Sequence, residues 1–322
     1  MTTQFNSKLA PYFNDFVDLK LACGYRYTSE QTLLKALDRC LLECDCSAES
    51  VSRSVIESWT SKREHERPRT HRSRLWMTIQ FTKYLRSRGV DTYVPDSRLS
   101  PVSRTDFVPY IFSHGQIRSL LNAVDHLQVD PRAPERHMMM PELFRLLCSS
   151  GLRISEVLNL RICDVDLNRG TLRILDTKFH KDRLVPTSQA MTERLKAYSD
   201  RMKFRDPEAV FFPTARGSKY VKGTVYKLFR RLLRQIGIPH GGRGQGPRLH
   251  DLRHTFAVHC LERWYRNGDD LNACLPLLVT YLGHQTLLGT QRYLQLTPRI
   301  FPDINRRLEA FFHDHSSREE TP

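Results

Sequence analysis

The sequence predicts a mainly α-helical protein with one small antiparallel β-sheet, an α+β chain in two domains. Apolar residues recur at helical spacing along most of its length, whereas β-type runs gather in one block after Leu160. Between the two halves, the stretch YVPDSRLSPVSRTDFVPY holds three prolines and no helical period, the mark of an extended linker. A length of 322 residues is more than one core of ordinary size accommodates.

The first domain, 1–95, reads as all helix. Phe13, Phe16, Val17 and Leu21 form one apolar face, and Leu33, Leu34, Leu37, Leu41 and Leu42 a second. Ser50 or Ser52 suits the N-cap of a short helix through Val55, Ile56 and Trp59. A last helix over about 70–88 buries Leu75, Ile79, Phe81 and Leu85 and stops at Gly89. After a linker over 96–112, the second domain is expected over 113–322. Ser113 caps a helix marked by Ile117, Leu120, Leu121 and Val124, and a helix after Pro141 bears Leu143, Leu146 and Leu147. Gly151 suits the end of that helix and Ser155 the start of another. The runs 165–167, 171–175 and 183–185, separated by NRG and TKFHK, predict a three-stranded antiparallel sheet. Helical spacing returns over 187–204 and 224–238, in the segment opened by His250, and over 271–282 before Gly283-His284. Ile300, Phe301, Ile304, Leu308, Phe311 and Phe312 predict a C-terminal helix.

Composition narrows the function. Forty per cent hydrophobic and 26% charged residues describe a soluble globular chain, and apolar runs such as the one in LPLLVTYL are too short to span a bilayer. The start, MTTQFNSKLAPYF, lacks a secretory pattern, so a cytoplasmic location and free thiols for the 8 cysteines are expected. A net charge of +15 and a pI near 9.6 favour a polyanionic partner, nucleic acid first. The excess is concentrated: KREHERPRTHRSR supplies Lys62, Arg63, Arg67, Arg69, Arg72 and Arg74, a basic edge for a phosphate backbone. Arg230, Arg231 and Arg234 give a later helix a basic face, and Arg243 stands in the glycine-rich loop GGRGQG. That loop lacks the GK[ST] ending and the βαβ surroundings of a nucleotide cradle. Cys40, Cys44 and Cys46, even with His65 or His71, do not match a zinc-finger spacing, and core packing is the better reading.

Chemistry concentrates in HDLRH. On a helix, His250 and Arg253 project from one face a turn apart, where both donate to an anionic oxygen and the imidazole also moves a proton. These five residues alone leave a metal site or a core role open. His250 and His254 at i and i+4 imitate a zincin, but Asp251 stands where its general base belongs and Arg253 would put a cation beside the metal.

Arg153 in GLRISE, Lys178 in TKFHKDRLVP, His250 and Arg253 in HDLRHTFA, His284 in LGH and then Tyr293 resemble, in order and spacing, the tyrosine recombinase (phage integrase) family. The resemblance spans roughly 113–300. The first domain is similar more loosely, to the family's helical, SAM-like core-binding domain. The resemblance implies a catalytic domain in which Tyr293 attacks a DNA phosphorus to give a 3′-phosphotyrosine. Arg153 and Arg253 would grip the non-bridging oxygens, and Lys178 would protonate the leaving 5′-oxygen. His250 would partner Tyr293 in proton transfer, and His284 would donate to the scissile phosphate. His254 and His259 are assigned to packing or support. No metal, ATP or other cofactor is implied, because the cations stabilise the transition state and the phosphotyrosine conserves the bond energy.

The implied partners are double-stranded DNA at a specific site, a homo-oligomer growing from dimer to tetramer on DNA, accessory recombinases, and no membrane. A mobile-element recombinase is the first expectation, and chromosome-dimer or plasmid resolution the alternative. A type IB topoisomerase would use a similar residue set, and a DNA-binding regulator would keep the fold without cleaving.

Overall fold

The computed structural model describes residues 5–25, 27–99, 108–175, 182–242, 246–284 and 293. Lys178, Arg243 and the stripe from Ile300 to Phe312 lie outside these residues. The chain divides into two units, Met1–Phe107 and Val108–Pro322, and is mainly helical with small sheets.

In the first unit, α1 (Ala10–Ala22), α2 (Thr28–Glu43), α3 (Arg53–Thr60) and α4 (Pro68–Ser87) turn their apolar faces to one core. Phe13 stacks on Phe81 with centroids 4.1 Å apart, and Phe16 packs against Tyr27, Phe81 and Tyr84. α4 starts earlier than its apolar spacing indicates because Pro68 occupies N1, where a missing N–H leaves no helical bond unmade. A short parallel pairing of β1 (Ser50–Val51) with β2 (Asp91–Thr92) was not expected, since two residues show no pattern. Cys40 and Cys46 pack at the core's edge, and all eight cysteines are free thiols.

Arg74, expected on the basic edge, is a correction. It is 2% exposed and shares the inner side of α4 with buried His71 and Thr78. Its Nε donates to Glu66 at 3.0 Å and its Nη2 to the Ser61 carbonyl at 2.8 Å. The guanidinium lies 5.4 Å from the centroid of the Trp59 ring. Helical phase separates it from Arg69 and Arg72, which are exposed.

In the second unit, α6 (Arg136–Ser150) is packed by α5 (His114–Asp125), α8 (Gln189–Met202) and α10 (Leu249–Asn267). Leu143, Phe144 and Leu147 of α6 meet Phe229 and Leu232 of α9 (Lys222–Gln235) in the core. Ser113 caps α5 as expected: its hydroxyl accepts from the Gln116 amide at 3.1 Å, and the Gln116 side chain accepts from the Ser113 amide at 2.9 Å. Tyr110, Ile111 and Phe112, expected in the linker, pack into this unit, with Phe112 fully buried. α6 runs through Pro141 rather than starting after it: Pro141 forgoes one helical hydrogen bond, and the burial of Met139 and Met140 rewards the extension.

The next helix, α7 (Ile154–Asn159), begins just after Arg153, not at Ser155, because the Glu156 carboxylate accepts from the Arg153 amide at 2.9 Å. β3 (Val165–Asp166), β4 (Thr171–Ile174) and β5 (Arg183–Pro186) form the expected antiparallel sheet, with Leu172 opposite Val185. α11 (Leu271–Leu282) then packs against α10. Among the described residues, no helix is long and apolar enough to cross a membrane.

Candidate active site

Two helices end at this site, and their ends hold its cations. α6 stops at Gly151 with φ 58° and α11 at Gly283 with φ 67°, left-handed conformations that glycine adopts without penalty. Carbonyls in a last helical turn lack helical donors and sit at the negative end of the dipole. Arg253 of α10, 1% exposed, uses them: Nη1 donates to the Gly151 carbonyl at 3.0 Å and Nη2 to the Leu282 carbonyl at 2.6 Å. Among the described residues its buried Nε has no hydrogen-bond partner, the kind of exception that asks for a ligand. Burial and then the charge of Arg153 push the Arg253 pKa down to about 10, which leaves it cationic at neutral pH. Arg153 donates Nη2 to the Gly283 carbonyl at 3.3 Å.

Carboxylates on α7 and α10 fix these cations further. Glu156 accepts Nη1 of Arg153 at 2.7 Å, and Arg183 of β5 donates to it through Nη1 and Nη2 at 3.2 and 3.0 Å. Burial would raise the Glu156 pKa, but the hydrogen bond and charge of Arg183, aided by Arg153, outweigh it and hold the carboxyl below its ordinary value. Asp251, fully buried, accepts from the Arg248 amide at 2.8 Å and so closes the first turn of α10. Its carbonyl accepts from Thr255 Oγ1 at 2.8 Å, and that oxygen accepts from the Phe112 amide at 3.0 Å. The head of α10, which presents His250 and Arg253, is thereby locked to the core.

The histidines lie beside these cations. The His284 pKa is pushed down to about 4, by burial first and then by Arg253, Arg153, His250 and Arg183. His250 is lowered as well, by crowding against protein and then by His254, Arg253, Arg153 and Arg248. The residue is exposed to water, which softens both the burial effect and the cationic surroundings. Both rings are therefore neutral at neutral pH, each with one N–H to donate and one nitrogen to accept.

Tyr293 is 3% exposed and packs with Val258, Leu261, Leu278 and Leu282. Its hydroxyl is 3.2 Å from Nδ1 of His254, and its ring centroid is 6.0 Å from that of His284. The His250 and His254 rings stand edge to face at 4.7 Å.

Of the six expected residues, Arg153, His250, Arg253, His284 and Tyr293 come together, while Lys178 lies outside the described residues. Tyr293 meets His254, which was assigned to packing, rather than His250. The i, i+4 spacing of these histidines put them on one face, but only the tertiary position of Tyr293 selects between them. Glu156 and Arg183 were not singled out either; Glu156 at the third position of α7 was the available signal. Lys62, Arg63, Arg67, Arg69 and Arg72 of the first unit are exposed, as are Arg230, Arg231 and Arg234 on α9. Among the described residues, no group of three or more His, Cys, Asp or Glu could hold a metal ion.

The Tyr293 hydroxyl thus meets His254, and the charges of Arg253 and Arg153 act on the neighbouring His284. The phage integrase family model matches residues 111–299. A Sinorhizobium fredii protein designated integrase/recombinase y4rB is 30% identical over 312 residues, covering 94% of this chain and 97% of the relative. Tyrosine recombinase XerA of Thermococcus onnurineus is 31% identical over 218 residues, 66% of this chain and 67% of its own. The chain belongs to the phage integrase family, the tyrosine recombinases. Its fold is similar to that of the XerH site-specific recombinase bound to palindromic difH substrate, with a TM-score of 0.63 at 17% identity over 87% of this chain and 80% of that one.

Proposed function

We propose that this chain cuts and rejoins double-stranded DNA at a specific site through a 3′-phosphotyrosine bond, with Tyr293 as nucleophile. The observation that supports it most directly is the Tyr293 hydroxyl 3.2 Å from an imidazole on the helix that also presents Arg253. The phenolic proton passes to His254, with His250 adjacent to share it, as the tyrosine oxygen bonds to phosphorus. The bond to the 5′-oxygen breaks, and Lys178 supplies the proton that makes it a hydroxyl. Arg153 and the Arg253 Nε, unpaired among the described residues, face the non-bridging oxygens, and His284 donates to one of them. The reverse reaction, attack by a 5′-hydroxyl on the phosphotyrosine, reseals a strand without ATP.

In this reading the first unit is the core-binding domain, and Lys62, Arg63, Arg67, Arg69 and Arg72 around the start of α4 meet phosphates. Arg230, Arg231, Arg234 and Arg243 extend that contact on the catalytic domain, and protomers assemble as dimers and tetramers on DNA. The biological setting we favour is a mobile element. The relative designated integrase/recombinase aligns along nearly its whole length, whereas the XerA relative aligns over two thirds.

The test is recovery of covalent protein–DNA adducts from cells carrying the gene on its native DNA, followed by sequencing of the attached strand. Adducts at one defined sequence are expected from the natural chain and none from Tyr293→Phe. Adducts in Tyr293→Phe would remove that residue as nucleophile. Attachment at a chromosomal resolution site instead of element ends would overturn the mobile-element setting. In the same assay His254→Ala loses more adduct than His250→Ala if His254 takes the proton.

A further inference from the structure

Arg153 caps α7 and His284 follows α11, and one side chain outside the expected set contacts both helices. Arg183 is 9% exposed. Its Nε donates to the Tyr281 carbonyl at 2.9 Å, and its two Nη atoms donate to Glu156. The same carboxylate holds the Arg153 guanidinium at 2.7 Å and the Arg153 amide at 2.9 Å. A Cβ on Gly283 would stand 3.0 Å from Arg183 Nη1, so the guanidinium lies against the turn that leads into His284.

We propose that Arg183 is a positioning residue for strand cleavage, acting through Glu156 and the Tyr281 carbonyl to hold Arg153 and the Gly283-His284 turn in one fixed relation. The proposal rests on the recombinase reading above. Its physical basis is the sharing of one carboxylate between two cations. With Arg153 as sole partner, Glu156 would draw that guanidinium into a closed ion pair and away from an incoming phosphate. Arg183 takes part of the charge and leaves Arg153 donors for the ligand. Its planar fork reaches a carbonyl and a carboxylate at once, which a single ammonium cannot do. Arg183 also begins β5, the strand into which the segment bearing Lys178 leads. It adds to the positive charge that lowers His284.

The test pairs Arg183→Gln with Glu156→Gln on a duplex carrying the sequence recovered from the adducts. Arg183→Gln should slow adduct formation at saturating DNA roughly 10- to 100-fold, the cost of a misplaced reacting group. DNA affinity should change less than about threefold, because the loss falls on the transition state. In the Glu156→Gln background the same substitution should cost less than about threefold, since residues acting through one another are not additive. Arg183→Lys keeps the charge and guards against misfolding; it should melt near the natural chain yet still cleave slowly. Full additivity, a loss of affinity with cleavage intact, or natural cleavage by Arg183→Lys would each overturn the proposal.

A second readout needs no cleavage. Arg183→Lys keeps the charge, so movement of the Gly283 and His284 backbone amide NMR shifts in that variant of the full chain reports the turn and not the charge; unmoved amides would count against the positioning. If the natural chain forms no adduct at all, the recombinase reading fails, and these amide shifts alone decide whether Arg183 organises the turn.

Discussion

Gly151→Ala is the most direct challenge to the packing under the arginines. At φ +58° an alanine costs about 1–2 kcal/mol, because its Cβ approaches the following carbonyl. The new Cβ would also stand 2.5 Å from Cδ1 of Phe256 and 3.1 Å from Cδ2 of Leu282. Phe256 stacks on Tyr281, with centroids 5.7 Å apart, so its ring gives way only by disturbing the end of α11. Overpacking of this kind adds roughly 1–3 kcal/mol, for a total destabilisation of roughly 2–5 kcal/mol. Gly268→Ala is the control: its φ of +81° imposes the backbone cost, but nothing lies within 4 Å of the added Cβ. Urea unfolding of both variants therefore separates the steric part from the conformational part. Because the Gly151 carbonyl holds Arg253, adduct formation by the folded variant should also fall roughly 10- to 100-fold. Equal stability of the two variants, together with natural cleavage by Gly151→Ala, would refute the close-packing argument.

Two further outcomes follow from the corrected electrostatics. Arg74→Ala strands Glu66 inside the first unit and should cost about 3–5 kcal/mol of stability, whereas Arg69→Ala should leave the melting temperature unchanged and lower the salt slope of DNA binding by about 1; the reverse pattern would show that Arg74, not Arg69, faces phosphate. His284 has a folded pKa near 4 against an ordinary 6.5, so the unfolded chain binds the extra proton between those values. Stability from this residue is complete above pH 6.5 and falls as pH drops toward 4. DNA affinity should move the other way, because a bound phosphate favours the protonated ring. Denaturant unfolding of the natural chain and His284→Asn across this range checks the sign, and parallel curves would contradict it.

The sequence was legible where one rule dominated. Helical spacing located the helices of both units, and Ser113 announced its capping box because Gln116 follows at the required distance. Arg153, Arg253 and His284 were legible for a related reason: each neighbours a helix end marked by glycine or by a polar first turn. Arg74 was misread because a run of arginines states charge but not helical phase, and its partner Glu66 becomes a partner only when the loop before α4 folds back. Which of the two histidines on one face meets the Tyr293 hydroxyl depends on where that residue arrives, which no local pattern encodes. Arg183 looked like an ordinary strand residue, since its contacts reach Glu156 and Tyr281 far along the chain.

The anchoring of Arg253 by the Gly151 and Leu282 carbonyls has a consequence for how such a site can change over time. A side-chain ligand can be lost to any substitution, but a main-chain oxygen belongs to every residue type. What Arg253 requires of α6 and α11 is that each helix stop at a given residue, which Gly151 and Gly283 permit through their left-handed backbone. The exposed positions of both helices can drift as long as their length is kept, while buried residues such as Leu143, Phe144 and Leu278 stay bound by packing. A one-residue insertion in α6 or α11, which rotates the terminal carbonyls by about 100°, should harm this site more than most substitutions along either helix.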